Sequence, residues 1–172
     1  MKKTKIIVFT GLFIALNVVL DRFLSIQTDI VRISLGFLPI ALTGYLFGPV
    51  AGGLAGALSD IVGMIVFPKG AYFPGFTLTG LIGGAAYGLI LNKKPVSILR
   101  VTAVVLAVAA VCDLGLNTFW LYIITGKAAF AIFIPRLVKT AIMIPIQVFL
   151  IYSVSKLIGA AKLMSTAQIN KN

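Results

Sequence analysis

Apolar residues run along this chain in long, nearly unbroken stretches, interrupted by short clusters of proline, glycine or charge. Polar and apolar positions do not alternate. Stretches of roughly 17–25 apolar residues have the length at which a helix crosses a hydrocarbon core. The interruptions predict spans over residues 4–24, 33–47, 48–66, 75–92, 97–125 and 134–160. The chain is therefore read as all-α, a single membrane domain over residues 1–172 with six transmembrane helices. The second stretch is short, and Phe47-Gly48-Pro49 leaves almost no room for a connection, so spans two and three are expected to form a tight helical hairpin.

Composition strengthens this picture. A chain that is 60% hydrophobic and 11% charged lies far from the soluble norm of roughly a quarter charged. The net charge of +11 would suggest a nucleic-acid partner in a soluble protein. Here Lys2, Lys3, Lys5, Lys93, Lys94, Arg100, Lys156, Lys162 and Lys171 sit at the ends of apolar runs, which is the positive-inside pattern. No nucleic acid is expected, and the surroundings are the lipid bilayer. The same pattern puts both termini and residues 92–100 in the cytoplasm, in a multi-pass protein of the bacterial cell membrane. Residues 25–32, 67–76 and 126–133 then face outside. The basic start resembles a signal peptide, but residues 17–27 offer no small-x-small cleavage site, so the segment is read as a retained first span.

The inventory excludes several chemistries. With one cysteine, Cys112, and no histidine, an intrachain disulfide, a His-based triad and a His-ligated metal site all lack their parts. No Gly-x-x-x-x-Gly-Lys-Ser/Thr pattern occurs, so ATP hydrolysis would belong to a partner. No metal and no cofactor are expected.

Candidate chemistry lies on helix faces and in one connection. Gly48, Gly52, Gly56 and Asp60 recur every four residues on the third span, and Gly80, Gly84 and Gly88 on the fourth, so each helix carries a ridge without side chains. Close packing within the bundle is the simpler reading and a partner surface the other; for Asp60, on the ridge, structural pairing is weighed ahead of ligand contact. Gly11 and Ala15 on the first span are open to the same two readings. Asp113, Asn117 and Trp120 share one face of the fifth span, while Arg136, Lys139, Met143 and Gln147 share one face of the sixth. Ionisable groups at membrane depth are functional candidates, with an Asp113 to Lys139 ion pair as the alternative. The connection from Phe67 to Phe76 sets Lys69, Tyr72, Phe73, Pro74 and Gly75 close together. Aromatic faces, a cation and restrained backbone suit capture of a flat, anionic small molecule, whereas an interfacial aromatic belt is the plainer use of such residues.

Three segments carry a resemblance. Residues 32–39 (RISLGFLP), 48–60 (GPVAGGLAGALSD) and 72–79 (YFPGFTLT) resemble the substrate-binding (S) component of energy-coupling factor (ECF) vitamin transporters. The segment at 72–79, with residues 116–120 (LNTFW) and Arg136-Leu-Val-Lys139, is similar to the folate-specific branch, FolT. The resemblance implies a six-helix domain that binds a vitamin from outside and works with a transmembrane coupling subunit, EcfT, and a pair of cytoplasmic ATPases. It also implies that small residues on the first span, here Gly11 and Ala15, meet the coupling subunit, although Val19 departs from the pattern. A flat pterin needs stacking and in-plane hydrogen bonds, and a glutamate tail needs cations. Trp120, Tyr72 and Phe73 can stack, Asn117 or Asp113 can read the pterin edge, and Arg32, Lys69, Arg136 or Lys139 can meet carboxylates. The same architecture with pantothenate, riboflavin or thiamine is the nearest alternative. An intramembrane enzyme is a third, for which Asp60 and Asp113 are the only candidate groups, since no nucleophile stands beside a recognisable base.

Overall fold

In the computed structural model, which describes residues 3–27, 31–68 and 72–169, helices account for most of the described residues. α1 is Lys3–Arg22, α2 Phe37–Phe47, α3 Pro49–Val66 and α4 Pro74–Leu91. α5, Ile98–Val108, runs through a π-helical segment, Ala109–Leu116, into α6, Asn117–Thr125, and α7 is Ala129–Ile169. Five helical stretches are long and apolar enough to cross a membrane: α1, α3, α4, the continuous span Ile98–Thr125, and α7. α2 is a sixth, shorter apolar helix of 11 residues.

Local chemistry sets these limits. Proline opens both α3 and α4, where its missing N–H is not needed. Gly48 alone joins α2 to α3 with φ of 96°, a value that excludes most side chains, so the expected hairpin is formed. Gly126 closes α6 in the left-handed conformation.

Two boundaries differ from the sequence reading. The span drawn over 33–47 shortens to 37–47, because Arg32–Ile33 pairs as β2 with β1, Ile26–Gln27, in an antiparallel register of Ile26 opposite Ile33 and Gln27 opposite Arg32. The last span begins at Ala129 rather than 134 and carries Pro135 and Pro145 inside it.

The glycine ridges mesh. A Cβ on Gly80 would stand 2.8 Å from the Gly56 carbonyl oxygen, and Cβ atoms on Gly52, Gly56 and Gly84 would run into the facing backbone carbonyls. α3 and α4 therefore touch main chain to main chain, the packing that small residues permit in lipid. A Cβ on Gly44 would likewise meet the Gly88 amide at 2.7 Å, which draws α2 onto the same pair. Gly11 behaves differently: nothing lies within 4 Å of the place its Cβ would take, and Ala15 is exposed on the same helix.

Packing is uneven along the bundle. Ala41, Tyr87, Leu91, Val101, Val104, Val105 and Ile151 form a tight apolar cluster toward the end where α2 meets α3 and α4 meets α5. The other end, bearing the β1–β2 hairpin, is hollow.

Candidate functional site

The hollow is a cavity of about 520 Å³, lined from α1, α2, α3, α4, the π-helical segment, α6 and α7. Its walls are mixed. Tyr72, Phe73, Phe76 and Tyr87 supply aromatic surface, Asp21, Asp60 and Asp113 carboxylates, and Arg22, Arg136 and Lys139 cations, with Ser59, Thr79, Asn117 and Gln147 between them.

Asp60 lines this cavity and also has a structural partner across to α4. Thr77 Oγ1 donates to Asp60 Oδ2 at 2.7 Å, and the Tyr72 hydroxyl stands 3.1 Å from the same Thr77 oxygen. Thr77 has a single hydroxyl proton and directs it at Asp60, so the Tyr72 hydroxyl donates to Thr77. The chain of hydrogen bonds ties the connection before α4 to α3. Among the described residues no cation stands within ion-pair reach of Asp60.

Asp113 sits in the π-helical segment. Lys139 Nζ lies 3.9 Å from its Oδ1, so the expected pair forms, though loosely. Arg136 takes a different partner: its Nε and Nη2 donate to the Asp113 backbone carbonyl at 3.2 and 2.9 Å. The wider turn of a π-helix disturbs the regular backbone ladder, and such segments are concentrated at functional sites. Nothing in the apolar run 97–125 announced it. Asn117, where the π-segment passes into α6, keeps a buried Oδ1 with no hydrogen-bond partner among the described residues.

Of the other expected site residues, Tyr72 and Phe73 line the cavity, whereas Trp120, Pro74 and Gly75 stand behind the wall or beside it. The Trp120 indole packs on Phe73 with ring centroids 5.5 Å apart and donates through Nε1 to Thr79 Oγ1 at 3.0 Å. It supports a lining ring instead of being one. Gly75 is buried under both rings, with the place for a Cβ 2.6 Å from Trp120 Cδ2, and Pro74 is exposed at the start of α4. Arg32 lies in β2, and Lys69 lies outside the described residues.

Sequence reasoning missed the contribution of α1. Asn17, Asp21 and Arg22 line the cavity from the hairpin end of that helix. The signal was there in an i, i+4, i+5 polar group at the end of an apolar span.

A bundle of membrane-spanning helices, packed solid at one end and enclosing a cavity of mixed charge and aromatic surface at the other, defines a membrane-embedded ligand-binding protein. The chain belongs to the family of substrate-specific components of ECF transporters, whose pattern matches residues 5–155. This is a transporter family, not an enzyme family, and it fits a multi-pass protein of the cell membrane.

Two relatives bear the same description. A folate transporter FolT of Clostridium novyi (strain NT) is 46% identical over 172 residues, covering 99% of this chain and 100% of the relative. A folate transporter FolT of Leuconostoc mesenteroides subsp. mesenteroides is 34% identical over 155 residues, covering 87% and 83%. A crystal structure of FolT bound with folic acid superposes with a TM-score of 0.83 at 40% identity, covering 90% of this chain and 93% of that one.

Proposed function

We propose that this chain is the folate-capturing subunit of an ECF importer, taking folate from outside into the cavity at the hairpin end. It delivers the vitamin inward together with a transmembrane coupling subunit of the EcfT type and a pair of cytoplasmic ATPases. The observation that carries the reading is the cavity itself, joined to a 46% identical relative described as a folate transporter. At about 520 Å³ it falls within the roughly 300–1,000 Å³ typical of sites for drug-sized ligands. Phe73, Phe76 and Tyr72 offer faces for a pterin, Asn117 and Asp113 offer edge partners, and Arg136 and Lys139 offer charge for the glutamate carboxylates.

Asp60 joins these groups. Among the described residues no cation stands beside this carboxylate at membrane depth, and a 2-amino-4-oxopteridine presents two adjacent N–H groups that it can accept alongside Thr77. Arg32, in β2, and Lys69, outside the described residues, remain candidate cations for the tail. The basic clusters put the termini on the cytoplasmic side, so the hairpin end faces out. Gly11 and Ala15, exposed and uncrowded on α1, form the surface that meets the coupling subunit.

The test has two arms. Mass spectrometry of the ligand that co-purifies with the detergent-solubilised protein should return a folate; another vitamin in its place removes the substrate assignment. Reconstituted alone in liposomes, the chain should bind labelled folate without accumulating it. Concentrative uptake without partner subunits would overturn the division of labour.

A further inference from the structure

We infer that Arg136 is a positioning residue for the π-helical segment: by donating to the Asp113 carbonyl it holds the register that turns Asn117 into the cavity, in addition to any charge it lends a ligand. The inference deepens the folate reading, and rests on it for the identity of the ligand but not for the register.

The register shows at the end of the segment. The Asn117 amide donates to the Cys112 carbonyl, five residues back, where an α-helix would send it four residues back to Asp113. The Asp113 carbonyl thereby loses its regular donor. Arg136, on α7, supplies two others, Nε at 3.2 Å and Nη2 at 2.9 Å. Both belong to one edge of a planar guanidinium, and charged donors make the stronger kind of hydrogen bond. A carbonyl inside a bundle is costly to leave without a donor, so this contact favours the π register over the α register that would reclaim the amide.

Register decides direction. Gaining or losing one residue in a turn swings everything after it by about 100° and moves it about 1.5 Å along the axis. Asn117 is the first residue after the segment. It lines the cavity, and its Oδ1 is buried with no hydrogen-bond partner among the described residues. An acceptor held this way is satisfied by a donor that arrives with the ligand. Trp120 follows on the same helix, anchored by its bond to Thr79 Oγ1 and its contact with Phe73. Through one carbonyl, Arg136 fixes both an acceptor for the ligand and the indole that backs Phe73.

Trp120 is the chain's one tryptophan, so it reports the register without a ligand. In the ligand-free, detergent-solubilised protein, Arg136→Gln should change the emission and the near-ultraviolet circular dichroism of Trp120 while helix content holds. The same variant should bind folate and pteroate, which is folate without its glutamate, about tenfold more weakly in each case, the scale of one hydrogen bond. A cation that only meets the tail gives a different result: a loss for folate, none for pteroate and an unmoved Trp120 signal. That result overturns the inference.

Two further variants separate positioning from charge and from stability. Arg136→Lys keeps the charge, but an ammonium lacks the two-donor edge of the guanidinium, so it should behave as Arg136→Gln does and carries the test if that variant fails to fold. Unaltered pteroate affinity in Arg136→Lys overturns the inference. Asn117→Ala should weaken pteroate binding by itself, and combining it with Arg136→Gln should cost no more than the larger single change, because both remove the same acceptor. No loss in Asn117→Ala, or losses that multiply as they would for a residue that only stabilises the fold, overturns it as well. If the unaltered protein binds neither folate nor pteroate, the ligand assignment falls, and the Trp120 signal still decides the register.

Discussion

At the scale of single residues, the site divides groups that face the cavity from groups that hold them. Asp60 belongs to the first kind. Asp60→Asn should weaken folate binding and also shrink the preference for folate over its 2-desamino analogue, measured by calorimetry with both ligands. Equal loss for the two would return Asp60 to a structural role. Trp120 belongs to the second kind. Trp120→Ala should cost about 1–3 kcal/mol of binding by unseating Phe73 and freeing Thr79, with the helical content unchanged in circular dichroism. Spacing along the sequence put Asp113, Asn117 and Trp120 on one face. It could not show that the indole turns toward α4 while the other two turn inward, because that depends on how far α6 is rotated by the π-helical segment before it.

At the scale of elements, the pair α3 and α4 is the rigid part of the molecule, since backbones in contact leave nothing to repack. Gly84→Ala should therefore destabilise the protein by about 1–3 kcal/mol, read as a lowered thermal midpoint. Gly83→Ala is the matched control, because a Cβ there meets only Cys112 Sγ at 3.6 Å and the Val108 side chain at 3.7 Å. The recurrence of Gly52, Gly56, Gly80, Gly84 and Gly88 made this contact legible beforehand. The start of α2 was not legible, for an apolar run continues through Ile33 and Leu35, and only the cross-strand partner at Ile26 removes Ile33 from the helix. The π-helical segment was equally hidden, since its eight residues are as apolar as the helices on either side.

At the scale of the whole molecule, the proposed function sets folate binding in the cavity and partner contact on the exposed face of α1. Gly11 lies about one and two-thirds turns, and Ala15 about half a turn, before Asn17 along α1, on an exposed face of the helix. Replacing both by Leu should leave folate affinity intact and abolish ATP-driven uptake when coupling subunit and ATPases are supplied. A paired assay of affinity and uptake on the same variant checks this; matched loss of both would place these residues inside the fold's own packing. The number of helices and the charge pattern were readable at this scale because lipid imposes length and composition on every span. The void was not, since it arises from where separate helical segments fail to meet.

The single-residue joint at Gly48 has a consequence for how the protein is made. α2, with 11 residues, rises only about 16 Å, roughly half a hydrocarbon core, and no polar linker separates it from α3. A translocon that releases segments one at a time has no place to pause between them. The two helices are therefore expected to enter the lipid as one unit during synthesis, and lengthening the joint with a flexible polar insert should let α2 stall at the membrane surface while the later spans go in.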